Sequence, residues 1–275
     1  MSKHIFTLLL ALLAFGAEAQ SIKLQGRVLE QVSGKGLPYV NIGIRNKNLG
    51  TASDEQGKFI LSFPQSLQHD TITFSAVGYE EVSVPVQELS QRQPLEVKLL
   101  EKVNMLQEVV VQSRNLKTRK LGVTGRLPVV WGNPEHHEGK DVYEFANFIA
   151  VKGRATELLS AHFYLTSQKL DSALFRINLY KNNNGLPGER LVEKSIVQRL
   201  TTKDGWISIN LQPYGIYTGD DFFLGIEYLP GDGVDKYAIS LGGKLGGSSY
   251  SRKSSLGAWE KFVGASLSGY VTVRQ

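Results

Sequence analysis

Thr71-Ile72-Thr73-Phe74-Ser75-Ala76 places a hydrophobic side chain at every second position, and that alternation decides the fold. On an extended chain successive side chains point to opposite faces. Ile72, Phe74 and Ala76 therefore share one face, while Thr71, Thr73 and Ser75 share the other. One face is expected to meet a core and the other to meet water. The same period of two continues outward between clusters of Gly, Asn, Asp and Pro. It predicts strands over 23–30, 40–44, 57–63, 81–86 and 95–100. Strands this short and closely spaced make a small β-sandwich.

The pattern weakens between Lys102 and Trp131, where a short apolar run at 109–111 is followed by the basic cluster Arg114, Lys117, Arg119 and Lys120. We read 102–140 as a linker with a short strand. Alternation resumes in 141–275, with strands predicted over 158–166, 173–180, 196–200, 206–211, 222–228, 237–241 and 269–273. In the second of these, Ala173, Phe175, Ile177 and Leu179 fall on one side and Leu174, Arg176, Asn178 and Tyr180 on the other. The turn sequences Lys181-Asn182-Asn183-Asn184-Gly185 and Pro230-Gly231-Asp232-Gly233 separate such strands. The expected fold class is all-β: a first sandwich over 20–101 and a second, of jelly-roll type, over 141–275. No amphipathic helix is expected after the N-terminal segment.

That segment has Lys3 and His4, an apolar run from Ile5 to Phe15, and Ala17-Glu18-Ala19 before Gln20. It reads as a signal peptide over 1–19, cleaved after Ala19, because the run is too short for the ~20 residues that span a bilayer. The mature chain is then expected to be exported, to periplasm, outer membrane or cell surface, with no transmembrane segment. It contains no cysteine, so its domains must hold by burial alone. The net charge of +5 is spread along the chain, and with export this argues against a nucleic-acid partner.

The first domain resembles the carboxypeptidase regulatory-like domain. This is the transthyretin-like sandwich found at the front of many TonB-dependent outer-membrane receptors and in surface proteins of Gram-negative bacteria. The residues that carry the resemblance are Gly26, Leu37-Pro38-Tyr39-Val40-Asn41-Ile42, Gly50-Thr51, Asp54-Glu55-Gln56-Gly57-Lys58-Phe59 and Gly78-Tyr79-Glu80. Each also has a physical reason to be there. Asp54 and Gly57 bracket a β-turn that launches Phe59 into the core, and Gly78-Tyr79 permits a bend that the ring covers. These are expected to be fold residues. Leu106-Gln107-Glu108-Val109-Val110-Val111 is similar to the stretch that precedes the plug in the receptors. Only about 160 residues follow it, without repeated strands of roughly ten residues bearing aromatic girdles, so transport by this chain alone is not expected. The strand and turn over 175–189 look like those of jelly-roll accessory domains in secreted bacterial proteins.

The search for chemistry gives no catalytic, cofactor or metal site. Among His4, His69, His136, His137 and His162 there is no zinc motif, and His136-His137-Glu138 would point adjacent imidazoles to opposite sides of an extended chain. Gly264-Ala265-Ser266-Leu267-Ser268-Gly269 is not a nucleophile elbow. Phosphate loops are absent. Asp220-Asp221 and Asp232 with Asp235 sit in turns, where acids are expected for backbone reasons. Aromatic residues concentrate in the second domain. Trp259 and Tyr250, flanked by Gly and Ser, are the rings expected to be exposed, and Trp206 joins them as a candidate ligand contact. The expected function is a non-catalytic envelope protein that binds or supports an envelope partner. The alternative is a carbohydrate-binding accessory protein using the aromatic residues of the second domain.

Overall fold

The computed structural model describes residues 21–92, 94–102, 116–132, 143–166, 170–202, 205–229, 239–254 and 256–275. The signal peptide, the 106–111 stretch, the histidine pair at 136–137 and the turn at 230–233 lie outside the described residues.

The first domain is a sandwich of two small sheets. In one, β1 (Ser21–Glu30) pairs antiparallel with β4 (Lys58–Pro64) and parallel with β7 (Glu96–Leu99). The other has the order β3 (Gly50–Ala52), β2 (Asn41–Gly43), β5 (Thr71–Ser75), β6 (Val82–Pro85). Val28, Phe59, Leu61, Ile42, Ile72 and Phe74 fill the space between them. Phe59 meets Phe74 edge-on with ring centroids 5.6 Å apart. Strand β4 alternates exposed and buried along its whole length, as period two requires. The sequence expectation of no helix is corrected: α1 (Val86–Gln91) makes one and a half turns after Pro85 and buries Val86 and Leu89, three positions apart, against the core. A helix this short shows too little periodicity to be read from sequence.

The second domain is built from one continuous ladder that folds back on itself. Its strands are β8 (Thr118–Gly122), β9 (Leu127–Gly132), β10 (Glu144–Ile149), β11 (Thr156–Thr166), β12 (Ser172–Asn183), β13 (Leu186–Arg190) and β14 (Ile196–Thr201). They continue with β15 (Gly205–Asn210), β16 (Tyr217–Thr218), β17 (Phe222–Leu229), β18 (Ser240–Arg252), β19 (Glu260–Leu267) and β20 (Gly269–Arg274). The main order is β13-β12-β17-β10-β18-β11-β20-β8. Strand β18 joins the two layers: its start pairs with β9 and β11, its end with β10, and its ladder with β19 shifts register between Leu245 and Ser248. Phe163, Ile209, Phe175, Leu179, Phe222, Leu224 and Val271 pack between the layers. The stretch read as a linker departs from that expectation, because β8 pairs with β20 and β9 with β18. Basic residues at 119 and 120 mask the inward Leu121 of β8, which packs on the core.

Strand β12 shows how the domains meet. Ala173, Phe175, Ile177 and Leu179 enter the core as the alternation predicts. On the opposite side Arg176, Asn178 and Tyr180 are buried as well. Register places Arg176 beside Glu227, Glu227 beside Glu144, and Glu144 beside Arg252, a charged row across four neighbouring strands. The first domain covers one end of this row. Arg176 donates through Nη1 to Asn41 Oδ1 at 2.9 Å and through Nη2 to the Tyr39 carbonyl. Ala52 packs with Leu229, Leu174 and Val197. Glu193 accepts from Lys102 Nζ at 2.8 Å and from the Gly78 amide at 3.2 Å, while the Asn46 amide donates to the Leu256 carbonyl at 3.0 Å. On the face of the first sandwich expected to meet water, Thr71 is exposed and Ser75 half-buried, but Thr73 is buried, and Asn41 on the neighbouring strand is buried too.

Candidate functional site

The opposite layer of the second domain has an outer face that the first domain does not reach, and its polar and aromatic side chains are placed by alternation. Inward Ala161, Phe163 and Leu165 of β11 turn His162 and Tyr164 outward. Inward Ile207 and Ile209 turn Trp206 and Ser208 outward from β15, and inward Val271 and Val273 turn Tyr270 and Thr272 outward from β20. Pairing then sets Trp206 beside Tyr164, and Ser208 beside His162 beside Tyr270. Asn210, Ser160, Thr272 and Lys120 form the next row.

Trp206 joins these rows. Its ring lies 5.6 Å from Tyr164 and, reaching across β11, 5.1 Å from Tyr270, both edge-on. It remains 38% exposed, while Tyr270 is almost covered. His162 stacks on Tyr270 with centroids 4.4 Å apart and planes 12° from parallel. Two cations flank the rings. The Arg126 guanidinium sits 4.2 Å from the Tyr164 centroid and Lys120 Nζ 5.2 Å from that of Tyr270. One exposed indole beside hydroxyl and amide groups suits a ligand with an apolar face and a polar edge, as a sugar ring has.

His162 Nε2 lies 2.8 Å from Ser160 Oγ and 3.0 Å from Thr272 Oγ1. Burial, and then Lys120, hold its pKa below the ordinary histidine value. Among the described residues no carboxylate is bonded to the ring. Lys120 opposes the imidazolium that a general base would form, so the contact lacks the third partner of a nucleophilic triad.

The two rings expected to be exposed sit on the other layer. Tyr250 is a correction: it is 5% exposed, packed with Ala146, Tyr180 and Phe223. Its Gly and Ser neighbours do not expose it, because register lays it directly against Ala146 on β10. Trp259 is half-buried, edge-on to Tyr180 at 5.6 Å, with the Arg252 guanidinium 5.0 Å from its ring. Both border the charged row. There Arg252 binds Glu144 at 2.6 Å and Glu227 at 3.2 Å, and Arg176 lies 3.1 Å from Glu227. Tyr180 donates its hydroxyl to Glu144 and Asn178 donates to the same carboxylate at 2.8 Å. Burial pushes the Glu144 carboxyl up to about 7, against the pull of Arg252 and with the added repulsion of Glu227. Burial also disfavours ionised Glu227, but Arg176 and Arg252 together outweigh it and hold that carboxyl below its ordinary value. All four charges are consumed in holding the layer together and under the first domain.

Residues 24–111 match the family model of the CarboxypepD_reg-like domain. The front sandwich is a CarboxypepD_reg-like domain. Its motif residues do structural work. Asp54 Oδ1 accepts from the amides of Gln56 and Lys58 at 2.9 and 2.8 Å, and Gly57 closes the turn at φ 78°. Gly26 lies against the Leu95 carbonyl, Tyr79 packs on the core, and Pro38 precedes Tyr39, whose carbonyl receives Arg176. A cleft of about 640 Å³ opens beside β1, β4 and α1 of the CarboxypepD_reg-like domain, with Lys23, Arg27, Lys58, Leu89 and Arg92 in its wall. Its Asp54 is committed to the turn and Arg27 to the Gln56 carbonyl.

No curated protein matches the chain. Among solved structures, the cysteine protease and lectin-like domains of Cwp84, a surface layer associated protein of Clostridium difficile, are 8% identical over 86% of this chain, at a TM-score of 0.40. This chain spans 59% of the length of that one. The clostridial cysteine protease Cwp84 after propeptide cleavage is 9% identical over 92% of this chain and 71% of its own, at 0.41. The infectious bursal disease virus Gx strain structure is 9% identical over 93% and 79%, at 0.30. Likenesses at these scores carry no functional argument.

Sequence reasoning reached Trp206 but missed Tyr164, Tyr270, Lys120 and Arg126 as its neighbours. The parity of β11, β15 and β20 marks Tyr164, Trp206 and Tyr270 as outward. That the strands are adjacent is a property of the fold.

Proposed function

We propose that this protein is a non-catalytic, exported envelope protein whose second domain binds saccharide through the outer face of β15, β11 and β20. Export rests on the N-terminal signal pattern over 1–19. The observation that supports the binding role is the exposed Trp206 indole, backed edge-on by Tyr164 and Tyr270 and bordered by Ser208, Asn210, Ser160 and Thr272. The backing rings fix the indole, so a ligand meets a surface already ordered, and the hydroxyls and amide stand where a sugar edge would seek hydrogen bonds. The carbohydrate-binding alternative thus becomes the leading reading, centred on Trp206 rather than Trp259. The CarboxypepD_reg-like domain acts as the support that buries the opposite layer.

A glycan array probed with the labelled mature chain tests this. Specific binding is expected, with Trp206→Ala costing about 2 kcal/mol, roughly thirtyfold in affinity, and Trp259→Ala leaving the pattern of bound glycans unchanged. Binding that survives Trp206→Ala in full would remove the face from the account.

Protein docking is a second reading, favoured by β19. Among the described residues this strand pairs only with β18, and it exposes Phe262 and Val263 near Leu245.

A further inference from the structure

We propose that the cleft beside β1 of the first domain binds an extended acidic peptide of a partner protein. The peptide adds as a strand to the open edge of β1 and sets its carboxylates on Lys23 and Lys58. This site is separate from the saccharide face and does not depend on it.

Strand β1 pairs with β4 over 21–27, whereas β7 begins only beside Arg27. Among the described residues nothing pairs with 21–26 on that second side. The Val28 amide donates to the Gly57 carbonyl just before β4, and the Arg27 amide donates the other way, to the Leu95 carbonyl. Backbone groups alternate sides along an antiparallel strand, so the amides and carbonyls of Lys23 and Gln25 point away from β4, as the Arg27 amide does. The cleft of about 640 Å³ reaches this side. Its wall joins 23–27 of β1 to Leu89, Ser90, Arg92, Pro94 and Leu95, the stretch that leads from α1 into β7. A strand added there continues the line of β7 and meets the free backbone groups of Lys23 and Gln25.

The two faces of such a strand meet different surroundings. On the core side the cleft wall is Leu24, Leu89 and Leu95. On the outer face alternation and register set Lys23 beside Ser62 and Arg27 beside Lys58. The wall holds these three cations and Arg92 against two carboxylates, Asp54 and Glu96. Asp54 is tied to its turn, Glu96 stands beside Arg27, and Arg92 pairs with Glu88. That leaves Lys23 and Lys58, both exposed and with no ion pair among the described residues. A peptide that alternates acidic and apolar side chains matches both faces at once. An acidic saccharide would find the lysines but has no alternating amides and carbonyls to offer the edge.

Fluorescence anisotropy of the mature chain with a short labelled peptide of alternating glutamate and valine tests the proposal. The controls are the same peptide with lysine for glutamate, and the acidic peptide N-methylated at every residue so that it cannot pair as a strand. The acidic peptide is expected to bind about tenfold tighter than either control, its margin over the lysine peptide shrinking as salt is raised. Lys23→Glu and Lys58→Glu should each weaken it about fivefold, and Lys244→Glu, exposed and outside the cleft, should not. Gln25→Pro removes an amide that points into the cleft and none that pairs with β4, so it should abolish binding and leave the melting temperature near that of the parent. Equal binding of the lysine peptide would overturn the charge assignment. Equal binding of the N-methylated peptide, or full binding by Gln25→Pro, would overturn strand addition. No binding of the acidic peptide would overturn the proposal as a whole, and the saccharide reading, tested at Trp206, would stand apart from that result.

Discussion

Glu144 and Glu227 face each other across neighbouring strands, and the two carboxylates divide the stabilising charges unequally. Glu227 is held by Arg176 and Arg252 and stays ionised, whereas Glu144, fully buried, is pushed up to about 7. The consequence for stability follows from the direction of the displacement. An acid whose pKa is raised on folding binds more protons folded than unfolded, so its contribution is largest below its unfolded value of 4.5 and is lost as pH rises toward about 7. At about 1.4 kcal/mol per tenfold change in proton affinity, the loss amounts to about 3 kcal/mol. Glu144→Gln removes this titration. Its unfolding free energy should fall less than that of the parent chain between those two pH values, as denaturant melts would measure. Parallel profiles would show that Glu144 does not titrate in that interval. The sequence displayed this row only in part: Arg176, Asn178 and Tyr180 were legible as one face of β12, but what buries that face comes from β10, β17, β18 and the first domain.

At the scale of elements, β17 and the 173–180 stretch of β12 are covered on both sides, yet only one side of each is apolar throughout. On β17 the domain-facing side includes Gly225, and a Cβ there would lie 2.5 Å from Glu144 Oε1 and 3.3 Å from the Tyr180 ring. Glycine at this position lets Tyr180 and Glu144 meet over the strand. Gly225→Ala should cost about 1–3 kcal/mol by overpacking. Gly219→Ala, which meets open space, should be near neutral in the same denaturant melts. Strands with an alternating apolar face, such as β4, β11 and β20, were readable from sequence because one face meets a core. Others escaped for local reasons. The edge strand β8 buries only Leu121 deeply enough to signal itself, and β19 is exposed over 260–264 on both faces, so it has no apolar period at all. The helix α1 offers only two inward positions, Val86 and Leu89.

In the whole molecule, the two outer faces of the second domain have opposite fates. One carries a charged row and lies under the CarboxypepD_reg-like domain through Arg176, Asn41, Tyr39 and Glu193. The other carries Trp206 and its cation-bearing tyrosines and stays open. The three candidate contact rings divide accordingly: Tyr250 and Trp259, the two expected to be exposed, lie on the covered layer, and Trp206 lies on the open one. Composition around a ring, Gly and Ser in the case of Trp259 and Tyr250, says little about exposure. Strand parity and the neighbour across the ladder decide it. The most direct test of the account follows the three tryptophans by fluorine NMR in fluorotryptophan-labelled protein during titration with a glycan bound on the array. The account predicts that the Trp206 resonance, assigned by its loss in Trp206→Phe, shifts with saturation while the Trp259 resonance stays in place. A shift of Trp259 with Trp206 unmoved would contradict it.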